Sequence, residues 1–156
     1  MVYSEKLIEL AQNIADGTPG FFDIKGPGKG DKATHAFMKE LRTQAKQLFE
    51  ADFSEKVICG DNKFAVDFFF PDEATIIEIA LTLRNSNSEF HKDILKAILS
   101  QRADNTINKL IFVSKPGAKK RHEEPASQSI ISLVEKDFGI MVIIRELVDN
   151  HTDARS

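Results

Sequence analysis

Two carboxylates interrupt the apolar stretch FAVDFFFPDEATIIEIAL, residues 64–81. The stretch is typical of two strands around a PDE turn, and each strand carries one acidic residue, Asp67 or Glu78. In a hairpin centred between Asp72 and Glu73, the numbers of opposed residues add up to 145, which places Asp67 opposite Glu78. The two Cβ atoms would then lie about 5 Å apart on one face of the sheet.

Two like charges at that separation repel each other and destabilise a hairpin. A shared proton, or a divalent cation bound by both groups, removes the repulsion, and Mg²⁺ prefers oxygen ligands of this kind. The alternative is a solvated face, on which both carboxylates point into water while apolar residues fill the opposite face. These apolar residues are Phe68, Phe70, Ile77 and Ile79.

Apolar periodicity predicts the elements that position this pair. In the first third of the chain, it predicts a helix that ends at Gly17, a short strand at Phe21–Ile24 and a second helix at about Thr34–Glu50. The second helix would bury Phe37, Leu41, Ala45 and Leu48. The intervening KGPGKGDK lacks the Gly-Lys-Ser/Thr ending of a P-loop, so it is interpreted as a loop.

Further along, the sequence predicts strands at 57–59, 64–70, 74–81, 109–114 and 140–144, and helices at 86–103 and 129–139. Ser86 and Glu89 form a capping-box pattern at the start of the first of these helices. From Thr34 onward the order is αβββαβαβ. This order predicts an α/β fold, in which parallel crossovers extend an antiparallel hairpin into a mixed sheet flanked by helices.

The element order, with Asp on the second strand and Glu on the third, resembles the PD-(D/E)xK nuclease superfamily, which includes restriction endonucleases and Holliday-junction resolvases. The resemblance covers about Thr34–Ile144 and implies a restriction-endonuclease-like fold with an αβββαβ core. It makes Asp67 and Glu78 the catalytic ligands of Mg²⁺ or Mn²⁺. Glu40, on the preceding helix, becomes a candidate third metal ligand. The literal Pro71-Asp72 is not the motif, because it lies in the turn.

The resemblance fails at Ala80, where the superfamily has the lysine that helps to activate the attacking water. Two other lysines are candidates for this catalytic role. Lys63 is a diagonal neighbour of Ala80 in the predicted register, about 7–8 Å away at the backbone. Lys92 lies one turn into the following helix. The alternative for Lys63 is a solvated position in the turn GDNK.

The segment 115–122 holds the densest positive charge in the chain, although the net charge is −3. A nuclease that is acidic overall needs such a patch, because phosphate contacts supply most of its non-specific affinity for DNA. The alternative is a solvated surface loop. The candidate nucleic-acid-binding residues are Lys115, Lys119, Lys120, Arg121 and His122.

The 156 residues predict one domain, with a nuclease-like core at 34–148, preceded by a helix and a Gly/Lys-rich loop at 1–33 and followed by a flexible tail at 149–156. A single cysteine, Cys59, and the absence of a signal-like or membrane-spanning stretch predict a cytoplasmic protein. Two functions remain open. One is a Mg²⁺-dependent DNA endonuclease, as a homodimer or in a larger nuclease complex. The other is a catalytically silent module that binds nucleic acid or a protein partner.

Overall fold

The chain folds around one five-stranded mixed sheet with helices on both faces, as the element order predicts. The computed structural model describes residues 2–23, 29–81 and 86–150. The strands are β1 (Ser54–Lys56), β2 (Val66–Phe70), β3 (Thr75–Ala80), β4 (Lys109–Ser114) and β5 (Met141–Glu146). The helices are α1 (Tyr3–Asp16), α2 (Lys29–Phe49), α3 (Ser86–Arg102), α4 (Ala118–Arg121) and α5 (Pro125–Phe138).

The hairpin of β2 and β3 has the predicted register. Phe68 pairs with Ile77, Phe69 with Ile76 and Phe70 with Thr75, and each pair of numbers adds up to 145. A 3₁₀ turn at Pro71–Glu73 connects the strands, so the Pro71-Asp72 dipeptide lies in the turn as predicted.

Parallel pairing extends this hairpin on one side. β3 pairs with β4, and β4 with β5, in the same direction, so that Ala80 lies beside Ser114 and Ser114 beside Glu146. The carboxyl ends of three strands therefore share one edge of the sheet, which we call the carboxyl edge. In open α/β sheets, ligands bind at this edge. Glu78 lies two residues before the end of β3.

Alternation along the strands divides the core into two layers. Phe68, Phe70 and Ile77 pack with α1 and α2 on one face. Phe69, Ile76 and Phe112 pack with α3 and α5 on the other face. Glu78 lies beside Phe112 in the parallel register and contacts α3, so Glu78 is on the α3 face and is covered by that helix.

Three expectations about local structure are wrong. The first strand is Ser54–Lys56 and not 57–59, because the Asp52 carboxylate accepts hydrogen bonds from Ser54 and starts the pairing with β2 three residues earlier. Helix α2 buries Phe49 rather than Leu48, which is 52% exposed, because Phe49 continues the four-residue spacing of the apolar stripe. Turns replace the expected strand at residues 21–23.

Some expectations fall on parts of the chain that the structure does not describe. They are residues 24–28, where the predicted strand ends and the KGPGKGDK loop begins, the side chain of Ser86 in the capping box, and residues 151–156 of the C-terminal tail. The rest of that loop, residues 29–32, is helical, because α2 begins at Lys29 and not at about Thr34, so the loop interpretation is wrong there. The helix at 129–139 is confirmed, although it begins earlier, at Pro125, and ends with Gly139 at a positive φ of 66°. Within the described ranges, no helix combines the length and the apolar character required to cross a lipid bilayer.

Candidate functional site

The side chains of Asp67 and Glu78 join the two strands beyond their regular pairing. The backbone N–H of Ile79 donates to Asp67 Oδ2 at 2.8 Å, and the N–H of Asp67 approaches Glu78 Oε1 at 3.4 Å. The carboxylates thus accept hydrogen bonds from the backbone of the opposite strand, just beyond the last ladder pair, Phe68 with Ile77. Glu78 is only 2% exposed, so the alternative of a solvated face is wrong for this residue.

A lysine that the sequence analysis did not select completes the site. Lys96, from α3, forms a buried ion pair with Glu78, with Nζ 3.2 Å from Oε2. The same Nζ lies 3.1 Å from Asp93 Oδ1, one turn earlier in the helix, and 2.8 Å from the carbonyl oxygen of Ala65. We call Asp67, Glu78, Asp93 and Lys96 the Lys96 cluster. It contains three carboxyl groups and one ammonium group.

Burial dominates the electrostatics of the Lys96 cluster. It raises the pKa of Glu78 well above its ordinary value, and the charges of Asp67 and Asp93 raise it further against the opposing effect of Lys96. Burial also raises the pKa of Asp67 and of Asp93. For Lys96, burial alone would lower the pKa, but Glu78 and Asp93 raise it above its ordinary value. The cluster therefore has a strong tendency to acquire positive charge, either as a proton or as a cation.

The two lysines that the sequence suggested lie elsewhere. Lys63 is exposed, in the turn before β2, with a positive φ of 67°. Lys92 is exposed on α3, and its Nζ lies 5.5 Å from the centre of the Phe64 ring. Neither is in the described ion pairs of Glu78, whose partner is Lys96. The expectation that Lys63, as a diagonal neighbour of Ala80, supplies the missing lysine does not describe this structure.

The sequence does contain an indication of Lys96, but it lies in the pattern of α3 and not in the spacing of the nuclease motif. The apolar stripe of α3 is Phe90, Ile94 and Ala97, which are all buried. Asp93 and Lys96 lie next to these residues in the sequence and are likewise buried, at 8% and 7% exposure. Charged residues are almost never buried unless they are paired. Two charged residues of opposite sign beside the buried face of an amphipathic helix therefore indicate a buried polar site.

The donor set partly fits a magnesium ion. Mg²⁺ is usually held by one or two carboxylates, with waters and substrate phosphates as its other ligands, and Asp67 and Glu78 supply two. Glu40 does not join them: it is exposed on α2, where it accepts a hydrogen bond from Gln44. In residues 2–23, 29–81 and 86–150, no three or more His, Cys, Asp or Glu side chains form a group that could hold a metal ion.

The basic segment, residues 115–122, follows β4 at the carboxyl edge. Lys119 and Lys120 are exposed, and Arg121 is half-buried. The Glu146 carboxylate at the end of β5 accepts the backbone N–H groups of Gly117 and Lys119, both at 2.9 Å, which fixes the segment to the sheet.

Two members of the basic segment have internal partners. Lys115 donates to the carbonyl oxygen of Phe21 at 3.0 Å. His122 is 8% exposed, its ring stacks on Phe90 at 4.1 Å between centroids, and its Nδ1 lies 3.1 Å from Ser127 Oγ. Burial, followed by the neighbouring Arg121, lowers the pKa of His122, which disfavours the charged form that would bind phosphate. The prediction that His122 contacts a phosphate is therefore wrong, because this residue lies in the core.

In comparisons with family models, curated proteins and solved structures, the chain has no significant match. The functional argument therefore rests on the geometry of the Lys96 cluster.

Proposed function

We propose that the protein is a metal-dependent deoxyribonuclease of the restriction-endonuclease-like type, in which Lys96 replaces the lysine that is missing at Ala80. One observation carries the proposal. Lys96 Nζ lies 3.2 Å from Glu78 Oε2, and the backbone N–H of Asp67, on the neighbouring strand, lies 3.4 Å from Glu78 Oε1. Two carboxylates and a lysine are the groups that the motif resemblance requires. Here the lysine comes from the helix after β3 rather than from β3 itself.

Each group has a role in phosphodiester hydrolysis. Asp67 and Glu78 would hold Mg²⁺, which polarises a phosphate and lowers the pKa of a bound water. Lys96 would donate a hydrogen bond to the attacking water or to a non-bridging oxygen of the phosphate, where negative charge develops in the transition state. The water oxygen would form a bond to phosphorus and lose its proton to solvent, while the bond from phosphorus to the leaving oxygen breaks and that oxygen takes a proton from solvent.

The test is a plasmid-nicking assay in Mg²⁺ or Mn²⁺, with Asp67→Ala as the paired variant. We expect nicking by the wild-type protein that requires the metal and is lost in Asp67→Ala. Nicking that survives in Asp67→Ala would come from a contaminating nuclease. A folded wild-type protein that nicks in neither metal would contradict the proposed function.

A second candidate is a catalytically silent module of the same fold that binds nucleic acid or a protein partner. Two observations favour it: alanine stands at the motif position, and the described residues contain no three-ligand group. The silent module should bind DNA without cutting it, so binding and nicking measured on the same preparation separate the two candidates.

The basic segment gives a prediction that applies to the nuclease and also to a silent module that binds DNA. Replacing Lys119, Lys120 and Arg121 with glutamine should weaken DNA binding and reduce the salt dependence of the affinity by up to about three counterions. The measurement is the slope of log affinity against log salt concentration.

A matched control removes three positive charges at the opposite edge of the sheet. Arg102 ends α3, Lys109 begins β4, and Lys136 lies in the last turn of α5. The triple glutamine variant of these residues has the same net charge as the first and should keep the wild-type slope. Equal slopes in both triple variants would show that the basic segment is ordinary surface.

A further inference from the structure

The ammonium group of Lys96 has a hydrogen-bond acceptor for each of its donors. A protonated lysine has three N–H groups, and Lys96 Nζ has three oxygen neighbours: Ala65 O at 2.8 Å, Asp93 Oδ1 at 3.1 Å and Glu78 Oε2 at 3.2 Å. With all three bonds made, Lys96 has no N–H for a water or a phosphate. The role proposed above therefore requires that one of these bonds be given up.

The three acceptors differ in what else they can do. The Ala65 carbonyl belongs to the backbone just before β2 and makes the shortest contact. Asp93 lies three residues before Lys96 on the same helix, so its carboxylate and the lysine are held together by α3. Glu78 makes the longest contact and is the one acceptor of the three that is also proposed to hold the metal.

We infer that Asp93 is a positioning residue: with the Ala65 carbonyl, it would hold the Lys96 ammonium group in place while the Glu78 carboxylate serves as a ligand of Mg²⁺. The N–H that Glu78 accepts in this structure is then the one that Lys96 offers to the attacking water or the scissile phosphate. Asp93 also shares a hydrogen bond with Glu78. It would contact neither substrate nor metal and would act through Lys96. This inference rests on the proposed function for its chemistry, but not for the contact between Asp93 and Lys96.

Two substitutions separate the position of the Asp93 oxygen from its charge. Asp93→Asn keeps an oxygen acceptor at the same place, whereas Asp93→Ala removes it. In both variants, Lys96 retains Glu78 as its buried partner, so neither leaves an unpaired ammonium group. Glu89→Ala is the matched control, because Glu89 is an exposed acidic residue one turn earlier on α3.

The first measurement needs no cleavage. In metal-free protein, nitrogen NMR of the lysine ammonium groups, with Lys96 assigned from the spectrum of Lys96→Arg, reports how fast its protons exchange with water. We expect slow exchange in the wild type, Asp93→Asn and Glu89→Ala. In Asp93→Ala we expect exchange that is about 10-fold faster or more, because one N–H has lost its buried acceptor. Unchanged exchange in a folded Asp93→Ala variant would overturn the inference.

The second measurement separates positioning from metal binding. Asp93→Ala should lower kcat about 10-fold or more with little change in KM or in the midpoint of Mg²⁺ activation, and Asp93→Asn should recover most of the loss. Loss of the Mg²⁺-induced rise in Tm in both variants would make Asp93 a metal ligand instead and overturn the inference. If wild-type protein does not cleave, the proposed function fails, and the NMR result still decides whether Asp93 positions Lys96.

Discussion

Replacing Lys96 with alanine should reduce metal-dependent nicking of DNA by about 10²- to 10³-fold, the usual cost of losing one preorganised donor to a developing negative charge. The loss should appear in kcat, because the contact with the phosphate or water strengthens in the transition state. The measurement is single-turnover cleavage of a plasmid at saturating Mg²⁺.

Two other lysines are matched controls for this result. Lys92→Ala changes an exposed lysine one turn earlier on the same helix, and Lys63→Ala changes an exposed lysine in the turn before β2. Both should cleave within about threefold of wild type, since neither donates to Glu78 in the described contacts. If Lys92→Ala is inactive while a folded Lys96→Ala variant cleaves normally, the lysine has been assigned to the wrong turn of α3.

Loss of Lys96 also affects folding, because removing one partner of a buried ion pair typically costs about 3–5 kcal/mol. The double variant Lys96→Ala, Ala80→Lys addresses this. It returns a positive charge on the strand of Glu78, two residues away and on the same face, where the motif resemblance expects it. If the double variant recovers part of the cleavage rate and part of the melting temperature, the cluster needs a lysine, but the lysine can come from either α3 or β3.

Substituting the paired carboxylates should stabilise the metal-free protein. Asp67→Asn and Glu78→Gln keep the shape and an acceptor oxygen, and Lys96 keeps Asp93 as a charged partner in both, so no ammonium group is left unpaired. Each change removes one buried negative charge from a cluster with three carboxyl groups and one lysine. A gain of about 1 kcal/mol would raise Tm by roughly 2–4 °C in a protein of this size. Thermal melts in the presence of a chelator measure it.

The stabilisation by Glu78→Gln should depend on pH. Burial and the neighbouring carboxylates raise the pKa of Glu78 above its ordinary 4.5, so the folded state binds a proton more tightly than the unfolded state. The contribution of Glu78 to the stability of the wild type is therefore fully present below about pH 4.5 and is lost as pH rises through the raised pKa. We expect a small difference in Tm between the variant and wild type at pH 4 that grows toward neutral pH.

The same two variants test the metal. Added Mg²⁺ or Mn²⁺ should raise Tm in the wild type, because a ligand stabilises the state that binds it, by about 2.7 kcal/mol at a concentration 100 times its Kd. Neither Asp67→Asn nor Glu78→Gln should show this rise. Equal metal-induced shifts in wild type and both variants would show that the ion binds somewhere else.

Most of the fold follows from patterns that are local in the sequence. The turn composition at PDE, with apolar residues on either side, was sufficient to predict the register that pairs Phe68 with Ile77. Strand β4 has the predicted bounds, and Gly139 ends α5 as predicted. These predictions succeed because hairpin pairing and helix termination depend on residues only a few positions apart.

Features that depend on contacts between distant segments were predicted less well. Residues 57–59 have more strand-like side chains than Ser54–Lys56, yet the latter pair with β2, because the ladder and the Asp52 turn decide which backbone groups bond. His122 belongs by sequence to a basic loop, but it stacks on Phe90 from another helix and lies in the core. Neither outcome can be read from local composition.

The sequence by itself determined the two carboxylates, their opposition across the hairpin and the order of the elements around them. Only the tertiary structure decided which lysine serves them. Lys96 lies 18 residues after Glu78 in the chain, and its ammonium reaches the carboxylate because the crossover to β4 lays α3 over that face of the sheet. Spacing along the chain predicts neighbours within a strand or a helix turn, whereas an ion pair between a helix and a sheet depends on how the two pack.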